Sequence, residues 1–259
     1  MRAKLLFLFI FLNSLLAHNQ TTLKKIESSK YQNNFKLLNI DNLGNEYYLV
    51  DNKLLKKNEL LFSDSSMGFI DKADIYSPIK IKVWFQDYNT LIILDNFLNE
   101  ITRINFNNIS KFTQIRDISS ANNNSVWAFD EIEMKIKKFD FFKRIFIENI
   151  ETKIDGIFIN FQSNYNYLWV LTDEFFYKIN YNGSIIYKSE NRNGYNKISL
   201  FKNDVILASN NQLVHFKNDE ELFINIKHEK LFIKDFSVIN ETLYIYDKDH
   251  LNKYLILTY

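Results

Sequence analysis

Residues 115–150 read IRDISSANNNSVWAFDEIEMKIKKFDFFKRIFIENI, and the grammar of this stretch decides the fold. Residues 115–121 form a strand-like run rich in β-branched positions, and ANNNS supplies a turn. VWAFD (126–130), KIKKFDF (135–141) and RIFIENI (144–150) follow as three further short runs. Charged or Asn-rich gaps separate them, as tight hairpins require. Four short strands joined by tight turns make one meander, which is one blade of a β-propeller.

The same grammar recurs on both sides. Upstream lie FKLLNID (35–41), EYYLVD (46–51), NKLLKK (52–57) and ELLFSD (59–64). A second unit offers IKIKVWFQD (79–87), TLIILD (90–95) and EITRINF (100–106). A fourth offers IDGIFINF (154–161), YLWVLTD (167–173), FFYKINY (175–181) and SIIYKSE (184–190). YNKISLF (195–201), DVILAS (204–209), QLVHFK (212–217) and ELFINIK (221–227) make a fifth. FIKDFSVI (232–239), TLYIYD (242–247) and LNKYLIL (251–257) make a sixth. Units about 35–44 residues apart fall in the propeller range. The expected fold is all-β: six blades of four antiparallel strands. The last unit is one strand short, and TTLKKIES (21–28) is a strand-like piece without a unit. Because an open sheet edge invites aggregation, residues 21–28 are expected to close the ring as the outer strand of the last blade.

Second strands tend to end in Asp, as at Asp51, Asp95, Asp130, Asp173 and Asp247. With five Gly and one Pro in 259 residues, turns fall to Asn and Asp, which tolerate left-handed backbone better than other side chains. VWAFD followed by KIKKFD, and LIILD followed by EITRINF, resemble the second and third strands of NHL-type six-bladed propellers. Residues 70–106 more narrowly resemble small exported propeller-like proteins of Bacteroidetes. That resemblance implies the fold and an envelope location, and carries over no functional residues.

The N-terminus reads as a leader. Arg2 and Lys4 precede an apolar run of 12 residues, 5–16, followed by Ala17-His18-Asn19-Gln20. This is the layout of a secretory signal peptide over residues 1–19, and the run is too short for a membrane span of ~20 residues. Residues 20–259 are then expected to form a single propeller domain with no membrane-spanning segment. Net charge is +1 for the whole chain and becomes −1 once Arg2 and Lys4 leave, so nothing attracts nucleic acid or anionic lipid. With no cysteine, the core alone must hold an exported fold.

Catalytic patterns are missing from the sequence. His215, His228 and His250 show no metal-ligand spacing, and His215, flanked by Val214 and Phe216, reads as structural. Asp247 and Asp249 lack a calcium loop. Asp130/Glu131, Asp173/Glu174 and Glu220/Glu221 fall at hairpins. No nucleophile motif and no phosphate-binding Gly loop occurs. Hence no catalytic residue, metal or cofactor is expected. Trp84, Trp127 and Trp169 read as packing between blades, with Trp84 in a first strand and the others in second strands.

Polar residues opening the channel-lining first strands are the best candidates for a site. Lys80, Arg116, Asp155, Asn196 and Lys234 share one position, and Asp117, Gly156, Lys197 and Asp235 share the next. IRDIS and IKDFS share a frame, so Asp117 and Asp235 should come to the same channel. Lys80, Arg116, Asp117, Asp155, Lys197, Lys234 and Asp235 are therefore the candidate ligand-binding set. The expected function is a non-catalytic envelope module for a protein or glycan partner, as a monomer or within a complex. The alternative is a hydrolase or lyase at the channel mouth.

Intact-mass measurement of exported material should place the mature N-terminus between His18 and Gln20; a mass that retains residues 1–17 would refute leader cleavage.

Overall fold

The computed structural model describes residues 21–30, 35–41, 43–57, 60–110, 112–224, 232–247 and 249–258. The leader, the proposed cleavage site, His228 and part of the fifth unit's last strand lie outside them. Six four-stranded antiparallel sheets stand around a central channel. No α-helix occurs among the described residues; Ser65–Met67 and Phe106–Asn108 are single 3-10 turns.

β1 (Thr21–Lys30) comes first in the chain but belongs to the last blade. The first blade is β2 (Phe35–Ile40), β3 (Glu46–Val50), β4 (Lys53–Lys56) and β5 (Leu60–Phe62). The second is β6 (Lys72–Asp74), β7 (Ile81–Phe85), β8 (Thr90–Leu94) and β9 (Glu100–Asn105). The third is β10 (Ile115–Ser120), β11 (Ser125–Asp130), β12 (Lys135–Asp140) and β13 (Ile145–Lys153). β14 (Phe158–Ser163), β15 (Tyr167–Thr172), β16 (Phe175–Asn180) and β17 (Ile185–Glu190) form the fourth. β18 (Lys197–Phe201), β19 (Asp204–Ala208), β20 (Leu213–Lys217) and β21 (Glu220–Phe223) form the fifth. β22 (Asp235–Ile239), β23 (Thr242–Tyr246) and β24 (His250–Thr258) complete the sixth with β1.

Two sequence expectations are corrected here. IKVWF is the second strand of its blade, because a three-residue strand, Lys72–Asp74, precedes it on the channel side. Its fully buried pattern fits a strand with neighbours on both edges. All three tryptophans thus lie in second strands, buried in separate apolar clusters. Asp95 moves with this shift, to the hairpin between the third and fourth strands.

Turn chemistry follows composition. In DNLGN (41–45) the Asp41 carboxylate accepts from the N–H groups of Leu43 and Asn45. Asp95 does the same in DNFLN (95–99). Gly44 has φ +77° and its counterpart Leu98 has φ +63°. Leu98 accepts a conformation that suits glycine because its side chain is buried against the first interblade core.

Each blade packs an apolar cluster on its neighbour, and β1 closes the circle. It pairs antiparallel with β24 from Thr21↔Thr258 to Lys30↔His250. Leu23 turns inward onto the cluster of Phe236, Leu243 and Ile256, while Lys24 and Lys25 face solvent. The Thr21 hydroxyl lies 2.9 Å from buried His215 Nδ1 in β20, which ties the closing strand to the fifth blade as well. Deleting residues 21–28 should lower the melting temperature by several degrees, about 2–8 °C for a loss of ~1–2 kcal/mol in a domain of this size, and should promote aggregation. Unchanged melting on calorimetry would refute closure by β1.

Candidate functional site

The six first strands surround a central cavity of ≈ 920 Å³. Their side chains alternate, as a strand demands. Leu37, Ala73, Ile118, Phe161, Ile198 and Phe236 turn away from the channel into or against the interblade cores. The flanking positions are polar and form two tiers. Lys36, Lys72, Asp117, Asn160, Lys197 and Asp235 share one register, opposite Leu49, Trp84, Phe129, Leu171, Ala208 and Tyr246. Asn39, Asp74, Ser119, Gln162, Ser199 and Ser237 form the next tier.

Five of the six strands begin with two residues set against one. Arg116 is the extra residue between Ile115↔Asp130 and Asp117↔Phe129, and Ile159 is its equivalent in β14. Asp71, Asn196 and Lys234 each donate a backbone N–H to the carbonyl opposite the next residue: Trp84, Ala208 and Tyr246. A bulge re-aims the side chain that it carries, here at the rim where the blades connect.

Most charges on this wall are spent on holding blades together. Lys72 Nζ lies 3.1 Å from both carboxylate oxygens of Asp117 in the next blade. Lys36 Nζ is 2.7 Å from Asp235 Oδ2, across the seam between the first and sixth blades. Asp117 and Asp235 also each accept the N–H of their own following residue, at 2.7 and 2.8 Å. Asp74 accepts from the N–H and hydroxyl of Ser120 in the third blade. Burial pushes the Asp117 carboxyl above its ordinary range, although Lys72 opposes the shift. It does the same to Asp71, whose carboxylate also accepts the Gln86 N–H. Lys82 is a buried lysine of β7 that donates to Ser120 Oγ at 2.8 Å, and desolvation lowers its pKa.

The structure brings four candidates, Arg116, Asp117, Lys197 and Asp235, to the cavity wall. Asp117 and Asp235 occupy equivalent places, as their shared frame implied. Three others lie elsewhere. Lys80 sits in the turn before β7, at the far end of the blade, and bonds Asn124. Asp155 lies in the loop after β13 and pairs with Lys188 of the outermost strand β17 at 2.8 Å. Lys234 occupies the sixth-blade bulge but does not line the cavity. Asp71 and Ile159 hold the rim positions assigned to Lys80 and Asp155; Lys72 and Asn160 hold the next. Gly156 is in a loop at φ +83°, where a Cβ would stand 2.8 Å from Thr172 and Asp173 side-chain atoms.

Lys36, Asp71, Lys72, Asp74 and Asn160 were missed. A polar–apolar–polar triplet marks the tiers: KAD (72–74), DIS (117–119), NFQ (160–162), KIS (197–199) and DFS (235–237). Among the described residues no three His, Asp or Glu converge as a metal would require. Neither described histidine of the propeller faces the cavity: His215 is buried in β20 and His250 is exposed on β24.

No protein-family model matches the chain, and no curated protein matches its sequence. Solved propellers do match in shape. A catalytically inactive histidine variant of virginiamycin B lyase from Staphylococcus aureus, with quinupristin, superposes with TM-score 0.58 at 11% identity, covering 92% of this chain and 100% of that one. BamB from Moraxella catarrhalis gives 0.54 at 12%, covering 90% and 99%. The WD40 domain of Toxoplasma gondii coronin gives 0.58 at 7%, covering 93% and 87%. At such identities the likeness shows the six-bladed propeller fold alone.

The sign of one pH effect follows from Asp117. Its folded carboxyl keeps a proton to higher pH than the unfolded group at 3.8. The resulting contribution to stability is full below that value and is lost as pH rises through the folded pKa. The melting temperature of native protein minus that of Asp117→Asn should therefore fall as pH rises above the unfolded value of 3.8; unpairing Lys72 adds only a constant offset. A difference independent of pH would refute the raised pKa.

Proposed function

We propose that this chain is a non-catalytic binding module of the cell envelope that seats a partner protein on the propeller end where the blades connect. One observation carries this reading. Phe69, Phe112 and Ile157, in three successive interblade loops, are 75%, 79% and 71% exposed. Ile132, in a second-to-third-strand hairpin at the same end, is also exposed. Because first and third strands run one way and second and fourth the other, these loops share one face with Arg116 and Asp71. Large exposed apolar side chains mark interaction surfaces; the far end also exposes Leu43, Ile79 and Phe97, and what distinguishes this end is the exposed Arg116, unpaired among the described residues. Phe69 and Phe112 offer rings on which a sugar can stack, but the aliphatic Ile132 and Ile157 beside them do not, and the mixed apolar patch favours a protein partner over a glycan. The envelope location rests on the leader and on the resemblance of residues 70–106.

A lyase at the channel mouth is the second reading, favoured by the shape shared with the virginiamycin B lyase. In that protein a histidine variant is catalytically inactive, whereas no described histidine of this chain faces the cavity. Asp74, Asp117 and Asp235 are instead engaged between blades, and Asp71 accepts the Gln86 N–H of its own blade.

Photo-crosslinking in cells tests the proposal. A photoreactive residue at Phe112 or Ile157 should yield a discrete protein adduct. The same residue at Ile185, exposed on outer strand β17, should not. Equal adducts at all three sites, or none at the face, would refute it.

A further inference from the structure

We infer that the partner element seated on this face carries a carboxylate, held at the channel mouth by Arg116 and Lys197 over the fourth blade; this rests on the protein-docking reading above.

The charges of the cavity wall are unevenly satisfied. Lys36 and Lys72 have carboxylate partners in adjacent blades. Lys197, in the same register, donates only to Asn196 Oδ1 at 3.2 Å and has no carboxylate within ion-pair distance among the described residues. Arg116 is exposed and its guanidinium makes no hydrogen bond or ion pair among them; Asp71 feels its charge only at longer range. These two cations stand on the third and fifth blades. Between them lies the inner strand of the fourth, FINFQS (158–163), which carries no charge. Its cavity-lining residues are Phe158, Ile159, Asn160, Gln162 and Ser163.

The second-blade side of the mouth repels an anion. Asp71 lies there on the second blade, and nearby Asp87 helps to raise its pKa. A carboxylate is thus driven from the second blade toward the fourth, where two cations and two side-chain amides face it. Arg116 offers the planar fork that matches a carboxylate, and Lys197 a mobile point charge. The apolar surroundings set the flanks of the partner segment. Ile157 is exposed next to Phe158, which lines the cavity and stacks on Phe129 at 4.2 Å. Phe112 lies in the loop that leads into β10. The complementary element is an acidic group bracketed by large apolar side chains, from an Asp or Glu side chain or from a chain terminus.

Fluorescein-labelled peptides test this on the full mature chain. The probes are Gly-Phe-Asp-Phe-Gly-amide, its Asn analogue, and the Asn analogue with a free C-terminal carboxylate. At low salt, one or both carboxylate peptides should bind about tenfold more tightly than the neutral one, a difference of ~1.4 kcal/mol. Salt should erode the preference, and it should vanish in Arg116→Gln/Lys197→Gln. That variant should fold, because neither side chain holds a partner carboxylate. The two acidic arms separate a side-chain carboxylate from a terminal one. Equal affinity for all three peptides, no binding by any, or a preference that survives the double variant would overturn the inference. So would glucuronate that binds the mouth more tightly than either acidic peptide, which would mark a small acid as the ligand. If all three bind equally and Ile157→Asn weakens them, docking on this face stands and only the carboxylate falls.

Discussion

Ring closure is the constraint on which this molecule depends. Every blade is apolar on both faces, so each needs a neighbour on either side, and the first and last need each other. The chain meets this by sending β1 to the outer edge of the blade that β22, β23 and β24 begin. Backbone pairing from Thr21 to Lys30 removes the edge of β24. Closure matters most at the seam beside it. Among the described residues the cluster between the first and sixth blades buries Leu37, Ile239, Tyr244 and Tyr246, fewer than the other interblade clusters. The Lys36–Asp235 pair crosses that seam. Both residues are more than a third exposed there, so the pair adds little, and the seam relies on the ring being shut elsewhere.

Closure also explains the polar channel. Six inner strands converge on one axis, where apolar side chains pointing inward would leave a greasy, water-filled tube. Two polar tiers result, and the ladder must start a bulge earlier than the strand to aim them. The pairs that form run between neighbouring blades: Lys72 to Asp117, Asp235 to Lys36, Asp74 to Ser120. Hydroxyl contacts such as Ser163 to Ser119 continue the pattern deeper. The channel wall is thereby a second, polar layer of adhesion behind the apolar one.

This geometry sets what was legible in the sequence. Blade count, four-strand grammar, Asn and Asp turns and closure by residues 21–28 were all readable, because each leaves a local pattern: alternation, a break, or a unit one strand short. The inner strand of the second blade was not. KAD is three residues long, and the longer IKIKVWFQD beside it has the stronger β signal, so the frame slipped by one strand. Lys80 was then aligned where Asp71 belongs. In the fourth blade, Ile154 and Ile157 extend the apolar pattern backward past Gly156. A strand seemed to begin at residue 154, although the positive φ of Gly156 places it in a loop. Arg116, Lys197 and the paired aspartates survived because their blades have full-length inner strands. Which charges are paired could not be read at all, since partners lie about 45 to 199 residues apart and meet only when the ring shuts.

That pairing separates structure from function within one wall. Asp74, Asp117 and Asp235 already use their oxygens to join blades, and to draw on them as an acid or base would break the contacts that shape the channel. The groups left over are different in kind. Arg116 sits on a bulge, where the ladder does not need its side chain. Lys197 has no carboxylate within ion-pair distance among the described residues, and Asn160 and Gln162 are neutral. The exposed side chains at Phe69, Phe112, Ile132 and Ile157 lie in connections and a hairpin that no blade packs against. The cations that the blades leave unpaired, Arg116 and Lys197, thus lie on the third and fifth blades, whereas large exposed apolar side chains occur at both ends of the ring, with Leu43, Ile79 and Phe97 at the far one. An uneven distribution of unpaired charge on a quasi-symmetric frame is not required by closure, which treats all six positions alike, and it is this unevenness that the proposed docking of an acidic partner uses.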